Sequence, residues 1–555
     1  LITTPDDLLN QDPDRPGAFG DPEGSRAPID HLLRDFVRFG GQSVYAELDS
    51  ATHEILRSRV LVGGKGAGKS VYLRRLQALA AQHAQGGAIY SDAEPLYADH
   101  VQQDTPTTEA IERISVWYKE RFLTEKWQWL WRRAIQRSLA SHLLTQLRAY
   151  LTDETIDELE YDYDTLFERY RKPVSIYSQL RHILNAHSGP GGLNKYLELP
   201  AWDELEVTLT EALSECPPTC FYVDAIDDDF AHSPAFWLSC QRGLFYEVMR
   251  LLRDQAFGGR LHVFICIRDV VFSSILRSEH ADRYRRSPHI RMLSWDDESL
   301  RYFLLAKINQ LSPEYLMEPA KPGARDIKSW LGIDTVDNDR REEPCTESVE
   351  EYLLRHIRPL PRDLVSLGNS LCQAVRVAKE RGVNTLSRAW LVDIVAGAAK
   401  EFGDLQLTIC ANRISADMLQ PLGTRRGSVS AAAYAPAVNQ QLREFLHDHV
   451  GRDRFDRAYC ATVTEMAGRA FSSHTDVLSV LWQHGLIGYG NGDLRCQDVT
   501  FYRLNDRAED LSLPLDRDFY VLHSCLIDSA GIEPIGPAVF PFRRRPPLVD
   551  EPAVS

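Results

Sequence analysis

Between positions 63 and 70 the chain reads Gly63-Gly64-Lys65-Gly66-Ala67-Gly68-Lys69-Ser70, which fits GxxxxGK[ST]. A triphosphate needs several amide donors converging on it, and only a glycine-rich loop lets backbone wrap that closely. The helix that follows adds the positive end of its dipole. Lys69 is positioned to reach the β- and γ-phosphates, and the Ser70 hydroxyl to sit on Mg²⁺. At average residue frequencies the pattern arises by chance in roughly one or two of a hundred chains of this size. An apolar strand before it and an amphipathic helix after it lower those odds. The competing reading is a glycine turn with a surface lysine. The chemistry expected is binding of ATP with Mg²⁺ through all eight residues.

Such a loop needs an acid at the end of another buried strand, near the metal. Phe221-Tyr222-Val223-Asp224 supplies it, so Asp224 is expected to hold Mg²⁺ together with Ser70. Taken alone, an acid there reads better as a strand-end turn or helix cap; paired with the loop, the metal role is favoured. Asp227, followed closely by Asp228, is the candidate for polarising the attacking water. Two arginines are candidates for sensing the γ-phosphate. Arg268 ends a strand, where it would lie beside the nucleotide, with a salt bridge to Asp269 as the competing role. Arg362, in Pro361-Arg362-Asp363, opens a helix and would couple that helix to phosphate charge, or else serve in an ion pair at the start of the helix.

The elements that must position these residues follow from periodicity. Residues 1–45 read as a Pro- and Gly-punctuated loop and a helix from Ile29 to Phe39. Short apolar runs at Val60–Val62, Ala88–Ser91, Thr219–Asp224, Leu261–Ile267 and His289–Leu293 read as strands. Helices are expected at Lys69–Ala84, Pro234–Phe257 and Val270–Arg277. Apolar strands alternating with helices predict a parallel sheet covered on both faces, so 46–295 is expected to be an α/β core. Within it, 95–215 reads as a helical insertion. It contains Trp117, Trp127, Trp129 and Trp131, whose helical spacing points to core packing rather than base stacking. In the same segment, Asp153–Asp164 reads as a solvated acidic stretch and His187–Gly192 as a loop.

Residues 296–405 read as a helical lid, with a loop-rich interruption at 312–346, and 406–440 as a linker. In 441–510, three helical runs (Val438–Val450, Arg454–Ala470, Thr475–His484) precede two strand-like runs joined at Gly490-Asn491-Gly492-Asp493. That is the outline of a winged helix with an Asn-Gly hairpin. Residues 511–555 read as a Pro-rich tail carrying Arg543-Arg544-Arg545.

Composition narrows the partners. The 555 residues are 44% apolar and 26% charged, enough to bury several cores. A net charge of −16 argues against a surface that is one broad polyanion-binding field. The ten cysteines form no CxxC pairs; Cys216 and Cys220 lack the further ligands a zinc site needs. Reduced cysteines and strand-sized apolar runs, far short of the ~20 residues a bilayer requires, point to a cytoplasmic chain without a membrane span.

With GGKGAGKS, FYVDAIDDD, Arg268 after the fourth strand, LPRD before a lid helix and the winged-helix outline in place, the chain resembles the additional-strand P-loop ATPases. Within them it resembles the AAA+ and STAND-like branch, including KAP-type and other bacterial defence-associated ATPases. The resemblance spans about 50–510, and only the first two motifs are specific. It implies a sheet order of 5-1-4-3-2, nucleotide at the C-terminal strand edges, and oligomerisation with ATP bound. Related ATPases place Glu directly after the first acid; here that position is Ala225, which implies slow hydrolysis. The DxxD spacing of Asp224 and Asp227 is closer to the KAP and STAND pattern.

Three functions compete. The first is a regulatory or signalling ATPase, of the antiviral-defence sort, whose nucleotide controls assembly with itself or with an effector protein. The second is a DNA-handling ATPase of origin-recognition or transposition-helper type, using Arg495 in the wing and Arg503 after it. Asp476, Asp493 and Asp498 oppose phosphate contacts there, so DNA is not favoured. The third is a nucleotide-stabilised scaffold that barely hydrolyses.

Overall fold

The structure, a computed structural model, describes residues 17–22, 36–37, 59–84, 90–91, 120–170, 172–187, 189–224, 234–277, 281–285, 287–338, 345–419, 431–472, 475–502, 511–537 and 539. The short apolar runs become a five-stranded sheet. β1 (Val60–Gly63), β2 (Tyr90–Ser91), β3 (Thr219–Val223), β4 (Leu261–Arg268) and β5 (Ile290–Met292) pair only in parallel. From the β5 edge the order is β5-β1-β4-β3-β2. Residues alternate between the faces of a strand. Val60 and Val62 therefore join one apolar cluster, with Phe221, Val223, Ile265 and Ile267. Leu61 joins the other, with Tyr222, Phe264 and Cys266. Both faces are dry, which is why these strands read as continuous apolar runs.

Helix α1 (Lys69–Ala84) covers one face through Tyr72, Leu73 and Leu76. The other face is covered by the insertion and by the helix that follows β3. The insertion comprises α2 (Glu120–Thr145), α3 (Asp153–Asp157), α4 (Ile176–Ala186), α5 (Pro190–Leu197) and α6 (Ala201–Glu215), and α7 (Pro234–Arg253) follows β3. α2 and α7 approach most closely at Gly243, where a Cβ would lie 2.6 Å from Trp127 Cβ and 2.7 Å from Gln128 N. Trp127 and Trp131 are fully buried, and Trp131 Nε1 donates to the Cys240 carbonyl at 3.0 Å. These two tryptophans are core. Trp129, half-buried, stacks against the Arg133 guanidinium at 4.9 Å.

After β4 come α8 (Asp269–Leu276) and α9 (Ala281–Arg285), then β5. The lid helices are α10 (Asp297–Gln310), α11 (Ile327–Leu331), α12 (Val349–Arg355), α13 (Pro361–Glu380) and α14 (Arg388–Leu419), with the hairpin β6 (Thr335–Asn338) and β7 (Cys345–Ser348) between α11 and α12. α10 and α11 each open with a full capping box, Asp296 with Ser299 and Asp326 with Ser329, which sets their starts. The C-terminal module holds α15 (Ala431–Glu444), a π-helical turn over Phe445–Val450, β8 (Arg454–Asp456), α16 (Arg457–Ala470), α17 (Val477–Gln483), β9 (Ile487–Gly490), β10 (Val499–Phe501), β11 (Phe519–Leu522) and α18 (Cys525–Ala530). Its sheet is antiparallel in the order β10-β9-β11-β8. One apolar cluster runs from the α1 face of the sheet through the lid into this module.

Several boundaries differ from the expectation. Asp153–Asp164 is not a bare solvated stretch, because α3 and a π-helical turn bury Ile156 and Leu159. Pro190–Leu197 is a helix with Pro at its start, a position proline favours. The linker expected over 406–440 contracts, since α14 runs to Leu419 and α15 starts at Ala431. Pro436 sits inside α15. The Asn-Gly turn is not a two-residue hairpin loop, as β9 ends at Gly490 and β10 begins at Val499. The start of the supposed tail is structural: β11 lies between β9 and β8, and α18 packs on α14. Trp117, Asp227, Asp228, Arg503 and Arg543–Arg545 fall outside the described residues, as does the 29–39 helix apart from Phe36 and Val37. No described helix is long and apolar enough to cross a membrane.

Candidate functional site

The loop follows the C-terminal end of β1 and runs directly into α1. Gly66 and Gly68 hold φ of +96° and +93°, the left-handed region that costs a side chain but not glycine. Ala67 N donates to the Gly64 carbonyl at 3.2 Å and Tyr72 N to the Gly68 carbonyl at 3.0 Å, closing the turn and starting the helix. The first amides of α1 have no partner within the helix. Lys69 folds back over its own loop, its Nζ donating to the Gly63 carbonyl at 2.8 Å and the Gly64 carbonyl at 3.0 Å. An ammonium held at the mouth of a ring of amides is placed to exchange those carbonyls for phosphate oxygens. Trp295 Nε1 supports the turn from below with a 3.0 Å bond to the Ala67 carbonyl.

The other candidates sort by strand. Gly63 is in register with Arg268 on β4, and Val223 with Ile265. Asp224, the residue after β3, therefore lies at the same C-terminal edge as the loop, with β4 between them. Two strand spacings separate β1 from β3, roughly 10 Å. Arg268 also lies on this edge, its backbone N–H donating to Gln241 Oε1 at 3.3 Å. Asp269, on α8, approaches the loop from the same side, with Oδ2 3.5 Å from where a Gly64 Cβ would stand.

Arg362 does not form, with any described residue, the ion pair weighed as its alternative role. Its backbone N–H donates to the Gly66 carbonyl at 3.3 Å, and its Nε to the Pro22 carbonyl at 3.0 Å. A Cβ on Gly66 would stand 3.0 Å from Arg362 Cβ, so the lid helix rests on the loop. The acid beside it, Asp363, accepts two bonds from the buried Arg358 guanidinium, at 2.8 and 2.9 Å. The lid covers Gly64 and Gly66, while a Cβ at Gly68 would meet no described residue within 4 Å.

Three groups around the loop carried no signal in the sequence. Residues 17–22 form a strap on the lid. Phe19 is buried and stacks on Trp330 at 5.1 Å, its N–H donates to Asn369 Oδ1 at 2.8 Å, and Asn369 Nδ2 donates to the Gly20 carbonyl at 2.8 Å. The C-terminal module supplies the second and third. Tyr502 Oη lies 3.4 Å from Ser273 Oγ on α8; burial and then the Asp269 carboxylate push its phenol upward. His484 is pushed down to about 3, first by burial and then by Arg268, Arg358, Arg413 and Lys65. Burial and these cations keep its ring neutral. No short motif announces such residues, because they approach from more than 200 positions away.

Among the described residues no three His, Cys, Asp or Glu side chains group as a metal site; one hydroxyl and one carboxylate need no such group. Neither the protein-family models nor the curated proteins contain a match to this chain.

Proposed function

We propose that this chain is an ATP-binding, slowly hydrolysing switch of the P-loop type, in which the nucleotide at Gly63–Ser70 sets the relative positions of core, lid and C-terminal module. The observation that carries this reading is convergence. Arg362 of the lid bonds the loop at the Gly66 carbonyl and the residue 17–22 strap at the Pro22 carbonyl, and the C-terminal module reaches α8, beside the loop, through Tyr502 and Ser273. A charge arriving there interacts with all of them, and only differential contact of this kind can shift a conformational equilibrium.

The roles follow from placement. Loop amides and the Lys69 ammonium hold the phosphates. Ser70 and Asp224 would hold Mg²⁺, which would supply charge neutralisation to the phosphates. Arg268 lies beside the terminal phosphate, and Arg362 reads it by leaving the Pro22 carbonyl. Asp227 orients the attacking water, with Asp228 as its neighbour. Ala225 in place of a carboxylate fits slow turnover, as a switch requires.

A DNA-handling role draws less support. α17, the third helix of the module and the one a winged helix lays in a groove, is buried from Val477 to Trp482. It offers no free face to a duplex.

Mass measurement of the purified chain with and without ATP, and with and without duplex DNA, tests the reading. ATP-dependent assembly indifferent to DNA is expected for a regulatory switch. Binding that needs DNA and falls steeply with salt would overturn it in favour of the DNA-handling role. ATP that binds without assembly or single-turnover hydrolysis would leave a scaffold.

A further inference from the structure

A second concave site lies on the opposite edge of the core sheet. Its volume is about 870 Å³, inside the range of sites that enclose one small ligand. One wall is a face of α7 with Arg242, Tyr246, Met249 and Arg253, at helical spacing. The N-terminal part of α2 forms the second wall, and α9 with His289 the third. The His289 carbonyl accepts from Arg59 N at 2.8 Å and Val60 N at 3.0 Å. The cleft thus opens beside the N-terminal ends of β1 and β5. The glycine loop lies beyond the other end of β1, a strand of four residues away, or about 13 Å.

The charges here are unbalanced in a specific way. Glu247, the one acid of α7, is buried and consumed: Arg250 bonds it at 2.7 Å, Arg132 at 3.4 Å and Gln128 at 3.2 Å. Asp254 is taken by Arg253 at 2.7 Å. These pairs stiffen the wall. Two guanidinia keep no carboxylate, though Arg283 bonds the Tyr284 hydroxyl. Arg242 and Arg283 have no ion-pair partner among the described residues, and Arg242 Nε is shut off from solvent with no hydrogen-bond acceptor. A buried guanidinium N–H without an acceptor costs about 1–3 kcal/mol, so Arg242, which lines the cleft, is held in this wall at a cost. Glu125, the one carboxylate lining the cleft, is exposed on the α2 side. Between the two arginines Tyr246 is half-buried, and its ring lies 6.1 Å from that of Tyr284.

We infer that this cleft binds a nucleotide-class ligand, a phosphate joined to a planar base, at a site separate from the glycine loop. The forked guanidinia of Arg242 and Arg283 suit a phosphate, and the Tyr246 ring offers the base a stacking surface. Size and concavity match a single small molecule rather than a protein surface. The site would let the insertion, which builds one wall, report a second nucleotide to the core through α7.

Calorimetric titration of the full chain with the four nucleoside 5′-monophosphates in EDTA tests this, because chelation removes the metal that the loop uses. At least one is expected to bind with one-to-one stoichiometry. Arg242→Ala and Arg283→Ala should each weaken it about tenfold or more, while Lys69→Ala leaves it unchanged. Arg283 is exposed on a short helix, so its replacement tests the site without threatening the fold. Failure of all four to bind at about 1 mM, or unchanged affinity in both arginine variants, overturns the proposal. Loss of binding in Lys69→Ala also overturns it and assigns the ligand to the loop instead.

Discussion

Lys69 carries the heaviest burden of any single residue. Its ammonium now bonds two carbonyls of its own loop, so truncation removes a charge without leaving a buried orphan. Lys69→Ala should therefore keep the fold and weaken ATP by about 10- to 100-fold or more, the worth of charge-assisted bonds at 1.5–3 kcal/mol. Calorimetry reads it directly, and parental affinity in the variant would reject the site. Asp224→Ala should remove the Mg²⁺ dependence of binding and turnover. Asp227→Ala should preserve binding while slowing single-turnover hydrolysis, and a parental rate would move the role to Asp228. The loop and Asp224 were legible because their chemistry is local: a few residue types at fixed spacing after a strand. Arg362 was legible only in part. Its position at the start of a helix could be read, but its actual partner, the Pro22 carbonyl, lies 340 residues away.

Individual elements meet where side chains are missing. α7 and α2 touch at Gly243, where a Cβ would come within 2.7 Å of backbone. Alanine is favoured over glycine inside a helix by about 1 kcal/mol, whereas overpacking a tight contact costs about 1–3 kcal/mol. The clash should win, so Gly243→Ala is expected to lower the denaturant midpoint; an unchanged or raised midpoint would show that the helices separate freely. The strap poses the complementary case. Phe19 fills a slot against Trp330 and Gly368, and Phe19→Ala should cost up to about 3–5 kcal/mol of lid stability. Hydrogen exchange should show it as faster opening of α13, with the core sheet protected as before.

At the scale of the molecule, histidines buried in the neutral form tie stability to pH. Burial pushes His142 and His523 down to about 4, and His262 and His484 down to about 3. An unfolded chain takes up these protons near pH 6.5, while the folded chain resists until pH 3–4. Between those limits the unfolded state holds more protons, so stability falls as pH falls. Tm should decline steadily from pH 7 to pH 5. A flat profile there would contradict the neutral burial of these rings. His484 has a second consequence, because it stands among Lys65, Arg268 and Arg358. Protonating it adds a like charge to that group, so acid should loosen the C-terminal module from the core before the sheet itself melts.

The sequence by itself determined the parallel sheet, its apolar strands, the glycine loop, the acid at the end of β3 and the coarse succession of core, lid and helical module. Periodicity and turn chemistry act over a few residues, and each of these features is encoded within such a window. Only the tertiary structure decided what covers the loop. That includes the lid contact at Gly66 and the residue 17–22 strap; the approach of Tyr502 to α8, the place of β11 within its sheet and the arginine-lined cleft at the far end of β1 are likewise tertiary. Those arrangements depend on which surfaces exclude water from one another across hundreds of residues, and no local pattern in the chain records that choice.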